Sequence, residues 1–283
     1  MINLQSSIFN LQRQLEAAYP KDEALALAWW IVEEETGLSR SQLLSGYKGT
    51  TNFSNLQAII ERLLHFEPIQ YIFGHTLWCG LDLLVTPATL IARPETAELV
   101  ERILTTHYSL LTTPYAVLDI GTGTGCIAIA LKKAHPEWQV TGIDISPDAI
   151  AVARENAKRN NVEVEFDVAD IFSEKMSKYE NEKMSKYYDL VVSNPPYICE
   201  HEKVSMKSNV LDFEPPSALF VPDSDPLRFY RRIAELKIGK YLFFEINEAY
   251  PNEVTALLTQ LGYQNVCIHR DIYGKPRIAE GQL

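Results

Sequence analysis

The chain has 283 residues, 46% of them hydrophobic and 22% charged. That balance excludes a disordered or collagen-like chain, and at one domain per roughly 150 residues it suggests two domains. With 26 basic against 37 acidic residues the net charge is −11, which argues against a broad basic surface gripping nucleic-acid phosphates.

The first 75 residues read as helices only. Ile8, Leu11 and Leu15 recur at helical spacing, and Pro20, Lys21 and Asp22 open a second helix carrying Leu25, Ala28, Trp29 and Val32. Gly37 stops it, Ser39 caps a short third helix through Leu44 with Gly46 just beyond, and Leu56, Ile59, Ile60, Leu63 and Leu64 form a fourth stripe before Pro68. The longest apolar run, Ala24 to Val32, is nine residues, against about 20 needed to span a bilayer. The first residues lack the basic and apolar pattern of a secretory signal, so a cytoplasmic location and no membrane partner are expected. Cys79, Cys126, Cys199 and Cys267 are too far apart for a C-x-x-C pair, and no metal is expected.

Residues 69 to 92 change character. Tyr71–Gly74 and Trp78–Val85 are rich in β-formers with glycine breaks, which predicts a hairpin linking two domains. The expected division is a helical domain over 1–75, a hairpin linker over 76–92 and a larger domain over 93–283.

From Tyr115 onward strands alternate with helices. Strands are expected at Ala116–Ile120, Val140–Ile145, Val162–Phe166, Tyr188–Ser193, Lys240–Ile246, Val266–Asp271 and Arg277–Ala279, with helices near 126–134, 147–160, 225–236 and 251–261. The alternation predicts an α/β fold with a mostly parallel sheet that binds ligands at its carboxyl edge. Glu174–Tyr179 recurs as Glu182–Tyr187, a tandem copy read as a surface-loop insertion without assigned function.

Leu118-Asp119-Ile120-Gly121-Thr122-Gly123-Thr124-Gly125-Cys126 follows a strand and opens a helix. Glycines allow tight turning and close approach to a ligand at a helix N-terminus. A nucleotide fingerprint G-x-G-x-x-G would need glycine at position 126, where cysteine stands. The actual G-x-G-x-G spacing resembles the S-adenosylmethionine loop of class I methyltransferases. Asp144 ends the next strand, where an acid can accept from ribose hydroxyls, and Asp170 ends the third. The three features in order predict a dinucleotide or S-adenosylmethionine site, and the glycine spacing favours S-adenosylmethionine.

Asp189–Ser193 leads into Asn194-Pro195-Pro196-Tyr197. The prolines fix φ and lack donors, leaving the Asn194 side-chain oxygen and the Pro195 carbonyl as acceptors. An NH₂ group on a planar carbon would donate one hydrogen to each, with Tyr197 free to stack on the plane. Holding that nitrogen toward a methyl donor needs no catalytic histidine, lysine or metal.

Together with Pro68–Gly74, Thr89–Thr96, Phe213-Glu214-Pro215 and the C-terminal Arg270-Asp271 and Gly274–Arg277, these motifs resemble the protein-(glutamine-N5) methyltransferases of peptide chain release factors, the PrmC/HemK family. The resemblance implies a Rossmann-like, seven-stranded sheet beside a small helical domain that docks class 1 release factors. The substrate it implies is the glutamine of a Gly-Gly-Gln loop, with S-adenosyl-L-methionine as cofactor. It further implies a cofactor site of Gly121, Thr122, Gly123, Thr124, Gly125, Asp144, Asp170, Ile171 and Asn194. Asn194, Pro195, Pro196 and Tyr197 would be catalytic and, with Arg93, would hold the substrate. Asn-Pro-Pro-Tyr is shared with adenine-N6 methyltransferases of DNA, so Arg93–Thr96 and the helical leader carry the choice of a protein substrate; a monomer with no direct nucleic-acid binding is expected. The chain departs from the family at Ile171, where some relatives have tryptophan, at Ala92, where proline is common, and at Asn247, where glycine is usual.

Overall fold

The computed structural model describes residues 4–45, 55–106, 115–173 and 188–283. Gly46 and the tandem copy at 174–187 lie outside the described residues. By internal packing the chain divides into two units, Met1–Gly74 with Lys207–Phe213, and His75–Met206 with Glu214–Leu283.

The first unit is helical. It contains α1 (Leu4–Leu15), α2 (Lys21–Thr36), α3 (Arg40–Leu44), α4 (Leu56–Leu64) and α5 (Ile69–Phe73), with a single turn at Ser208–Leu211. The 3.6-residue period brings Ile8, Leu11 and Leu15 onto one buried face, against Ala28, Ile31 and Val32 of α2 and Ile59, Ile60 and Leu63 of α4. Leu25 turns outward instead. Gly37 ends α2 in the left-handed region, and Ser39 caps α3, with its hydroxyl accepting from Gln42 N while its own N–H donates to Gln42 Oε1. Tyr71–Phe73 is not a strand. Pro68 opens α5 and Gly74, at φ 76°, closes it, so the flanking caps prevail over the β-propensity of the residues between them.

In the second unit the hairpin is β1 (His75–Trp78) and β2 (Leu81–Leu84). Residues 76–92, read from sequence as a linker, carry Trp78, Leu81 and Leu83 into this unit's core. The buried Asn156 side chain holds the hairpin from below: its Oδ1 accepts from Leu84 N at 2.6 Å, and its Nδ2 donates to Leu84 O and Thr124 O at 3.0 and 2.9 Å.

The chain continues through α6 (Pro94–Thr105), β3 (Ala116–Ile120), α7 (Cys126–Ala134), β4 (Gln139–Asp144), α8 (Pro147–Arg159), β5 (Glu165–Val168) and β6 (Tyr188–Ser193). A short parallel pair, β7 (Ile198–Cys199) and β8 (Phe220–Val221), precedes α9 (Arg228–Leu236), β9 (Gly239–Glu245), α10 (Pro251–Gln260), β10 (Gln264–Arg270) and β11 (Pro276–Gln282). The main sheet has seven strands in the order β10-β11-β9-β6-β3-β4-β5, with β11 antiparallel to both neighbours and the other pairings parallel. The third strand starts at Glu165 rather than Val162. Val162 N donates back to Ala157 O and Asn161 is left-handed at φ 55°, so those residues close α8. Asp170 consequently lies two residues beyond its strand. The order reverses at β3, since the chain runs outward through β4 and β5 and returns to β6 on the other side. Such a reversal opens a crevice at the carboxyl ends of β3 and β6, where the glycine loop and Asn194 emerge.

Candidate active site

A cavity of about 520 Å³ opens at that crevice, within the size range of small-molecule sites. Gly121, Thr122, Gly123 and Thr124 line it, as do Asp144, Asp170, Ile171, Asn194, Pro195, Pro196 and Arg93. Two of the sequence candidates, Gly125 and Tyr197, are not on its wall.

The glycine loop is built to hold its own shape. Gly121 N and Thr122 N both donate to Ile143 O at 2.8 and 3.0 Å, and Gly125 N returns to Thr122 O at 2.8 Å. Gly125 sits at φ 80°, and a Cβ there would stand 3.1 to 3.2 Å from Ile129, Phe166 and Ala153. Its role is close packing of loop, helix and strand. Beneath the loop, the fully buried Asp119 accepts from Thr122 Oγ1 at 2.6 Å. Burial pushes the Asp119 carboxyl up to about 7, against the lowering effect of the Thr122 bond.

Asp144 ends β4 with one carboxylate oxygen accepting from Gly123 N and the other from Ser146 N, each at 2.9 Å. A carboxylate oxygen accepts more than one donor, so both retain capacity for a vicinal diol. Ile145 follows, exposed on the cavity wall. Asp170 Oδ1 accepts from Phe172 N at 2.9 Å, turning the chain so that Ile171 is buried and Phe172 half-exposed. The Arg228 guanidinium lies 4.8 Å over the Phe172 ring, and Phe229 meets it edge-on at 5.3 Å. An apolar, partly aromatic wall therefore stands where the sequence places only Ile171.

At the other end Ser193 Oγ donates to Ile120 O at 2.7 Å, pinning the end of β6 to β3. Asn194 Nδ2 donates to Thr96 Oγ1 at 3.1 Å, Thr96 Oγ1 donates to Glu245 Oε2 at 2.7 Å, and Tyr197 donates its hydroxyl to Glu245 Oε1 at 3.0 Å. Glu245 and Thr96 are buried, and burial raises the Glu245 carboxyl above its ordinary range, opposed by Thr96, Tyr197 and Arg277. Burial and the adjacent Glu245 hold the Tyr197 phenol well above its usual value, so it remains a donor. Asn247 fills its unusual position usefully, its Nδ2 donating to Tyr197 O at 3.1 Å and to Glu202 Oε2 at 3.0 Å. Arg93 pairs with the buried Glu214, whose other oxygen accepts from Ile91 N at 3.1 Å. The segment Thr89–Thr96 thus meets Glu214 in space.

Cys126, beside the cavity, is pushed up to about 12 by burial and stays a thiol. All four cysteines are free. Among the described residues, Cys199, His201 and Asp223 bring possible metal-binding atoms within 4.8 Å of one another, but none of them lines the cavity. Among the described residues no helix is long and apolar enough to cross a membrane.

Sequence reasoning missed Glu245 and Asp119 as functional residues and gave Thr96 no role of its own. The signal was present in Leu242-Phe243-Phe244-Glu245-Ile246, because an acid inside an apolar central strand needs buried partners.

Residues 111–243 match the family described as Methyltransferase domain, and residues 10–74 match PrmC N-terminal domain. The release factor glutamine methyltransferase of Bacteroides thetaiotaomicron is 42% identical over 278 residues, which cover 95% of this chain and 96% of that one. The enzyme of the same name from Streptococcus pneumoniae is 41% identical, covering 79% of this chain and 77% of its own. Among solved structures, the human methyltransferase 10 domain containing protein superposes with a TM-score of 0.51 at 17% identity, covering 82% of this chain and 97% of that one. At that identity the likeness speaks to the fold alone.

Proposed function

This chain belongs to the release factor glutamine methyltransferase family, and from that premise we infer how its cavity serves the reaction. The enzyme transfers a methyl group from S-adenosylmethionine to the side-chain amide nitrogen of the Gly-Gly-Gln glutamine in class 1 release factors.

The cavity fits the cofactor. Asp144 offers acceptor capacity to a ribose, and Ile145, Ile171 and Phe172 offer an apolar bed to a base. When bound, S-adenosylmethionine supplies a methyl group on a positively charged sulfur. Asn194 carries the reading. Its Nδ2 is already committed to Thr96, so its oxygen is the free face of the amide, and Pro195 adds a carbonyl beside it. Two acceptors take the two hydrogens of a glutamine NH₂ and direct its nitrogen toward the methyl group. Bound against Asp144 and the glycine loop, S-adenosylmethionine would supply its methyl group to that nitrogen and leave as S-adenosylhomocysteine, and the displaced proton would pass to solvent. Burial keeps the Cys126 thiol and the Tyr197 phenol protonated. Tyr197, tied back to Glu245, stiffens the loop rather than lining the cofactor cavity.

The charge of −11 supports a protein substrate without direct nucleic-acid binding. Four free thiols and the family's substrate support a cytoplasmic enzyme, and we propose that it acts as a monomer. Incubation with S-adenosylmethionine and either a release factor or adenine-containing DNA, followed by mass mapping, tests the reading. A methyl group on the Gly-Gly-Gln glutamine is expected; label on adenine with the glutamine untouched would replace the substrate while keeping fold and cofactor.

A further inference from the structure

A primary amide has one face that donates and one that accepts, and a flip of about 180° about its last torsion exchanges them with little change in shape. For Asn194 to receive a glutamine NH₂, the accepting face must look into the cavity. The backbone of Asn194-Pro195-Pro196 does not decide this, because it fixes where the side chain starts and not which end faces inward. The decision lies with the partner on the other side.

That partner is Thr96, whose hydroxyl has one hydrogen and can accept as well as donate. Alone, it would satisfy either orientation of Asn194 equally. It is not alone. Its hydrogen goes to Glu245 Oε2 at 2.7 Å, which leaves only lone pairs for Asn194, so Asn194 presents Nδ2 to it at 3.1 Å. The second oxygen of Glu245 is taken by the Tyr197 hydroxyl at 3.0 Å, and Arg277 supplies positive charge nearby. Glu245 accepts at both oxygens, the pattern of a carboxylate, which has no hydrogen to give back.

We infer that Glu245 is a positioning residue: through Thr96 it sets the direction of the hydrogen-bond chain, so that the acceptor face of Asn194 meets the substrate amide. This rests on the role proposed above for Asn194. A neutral amide at position 245 removes the constraint. Its NH₂ donates to Thr96, Thr96 is then free to donate to Asn194, and the Asn194 side chain can turn its NH₂ toward the incoming NH₂. Two donors then face each other and the substrate nitrogen loses its seat. Cofactor binding rests mainly on Asp144 and the glycine loop and should change less than turnover.

The test uses the full chain with Glu245→Gln, Thr96→Val and Thr96→Ser, assayed on an intact release factor, with cofactor affinity measured by calorimetry. Methylation of the glutamine by the wild-type chain is the control; its failure would sink the functional reading itself, independently of the variants. Glu245→Gln and Thr96→Val should lower kcat at least about tenfold, with cofactor Kd and release-factor KM within roughly threefold of wild type. Thr96→Ser, which restores the hydroxyl, should recover kcat to within about threefold. Either of two results overturns the inference: Glu245→Gln turning over like wild type, or Thr96→Ser as impaired as Thr96→Val. So does a kcat loss matched by equal loss of cofactor affinity, which marks a merely structural role. If Glu245→Gln does not fold, the Val and Ser pair at Thr96 decides the matter alone.

Discussion

Arg93 and Glu214, 121 positions apart in the chain, form an ion pair in which the glutamate is buried and the arginine one-third exposed. Removing the arginine alone leaves a buried carboxylate that keeps the Ile91 amide but no opposite charge among the described residues. Arg93→Ala should therefore cost about 1–3 kcal/mol, discounted from the cost of breaking a fully buried pair because one partner is wet. The double variant Arg93→Ala, Glu214→Gln should regain part of it, since it removes the stranded charge and keeps an acceptor for Ile91. Urea midpoints of the three proteins check this, and a double variant no more stable than Arg93→Ala would refute it.

Asn194→Ala removes an acceptor that the proposed mechanism uses in the transition state. It should lower kcat by roughly 10²–10³ while leaving cofactor affinity nearly intact. Full turnover by this variant in a single-turnover methylation assay would dismiss the side chain's proposed role.

Asp144→Ala acts at the opposite end of the cavity. It removes the ribose acceptor and also frees the Gly123 and Ser146 amides that shape the loop. Cofactor Kd should rise roughly 10- to 100-fold, the range for a lost charge-assisted hydrogen bond. Titration calorimetry with S-adenosylhomocysteine measures it; an unchanged Kd would contradict the assignment.

Asp119 makes stability depend on pH with a predictable sign. Unfolded, its carboxyl ionises near about pH 4; folded, it does so at about 7. Between these values the folded chain keeps a proton that the unfolded chain has released. Stability therefore falls as pH rises through that window, by at most about 1.4 kcal/mol per pH unit, and levels off above it. Asp119→Asn keeps an acceptor for Thr122 and lacks this slope, so its stability relative to wild type should grow from about pH 4 to about pH 7. Parallel pH profiles for the two proteins would count against the buried carboxyl as the cause.

Gly125→Ala forces a side chain into a left-handed position and against Ile129, Phe166 and Ala153. A loss of about 1–3 kcal/mol is expected, read from thermal or urea unfolding. An alanine variant as stable as wild type would mean that the loop relaxes freely and that packing does not require glycine here.

Where a motif bundles its own geometry, the sequence was readable. The cap at Ser39, which accepts from Gln42 N, and the return of Gly125 N to Thr122 O each depend on neighbours three residues away. Reading failed where flanking caps outweigh composition and where distant segments settle the outcome. Tyr71–Phe73 has the composition of a strand, yet Pro68 and Gly74 close it into a helical turn. The hairpin has the look of a connector until Asn156, 72 residues away, takes the Leu84 N–H and donates to the Leu84 carbonyl. Glu245 signals only that an acid in an apolar strand needs buried partners; the partners themselves arrive from α6 and from the loop after β6, 149 and 48 residues away. Beside Ile171, only the fold shows that Phe172, Arg228 and Phe229 share one wall.

The two borders of the seven-stranded sheet differ in build. At one, β5 has four residues, and the Phe166 carbonyl there is taken by the Arg154 guanidinium. At the other, β10 pairs with β11 through two breaks in register. A docking strand from a second molecule would need a long, even row of amides and carbonyls, and among the described residues neither border supplies one. A wide, strongly hydrophobic sheet at the centre is thus bounded by edges that oppose strand-to-strand association with a second copy.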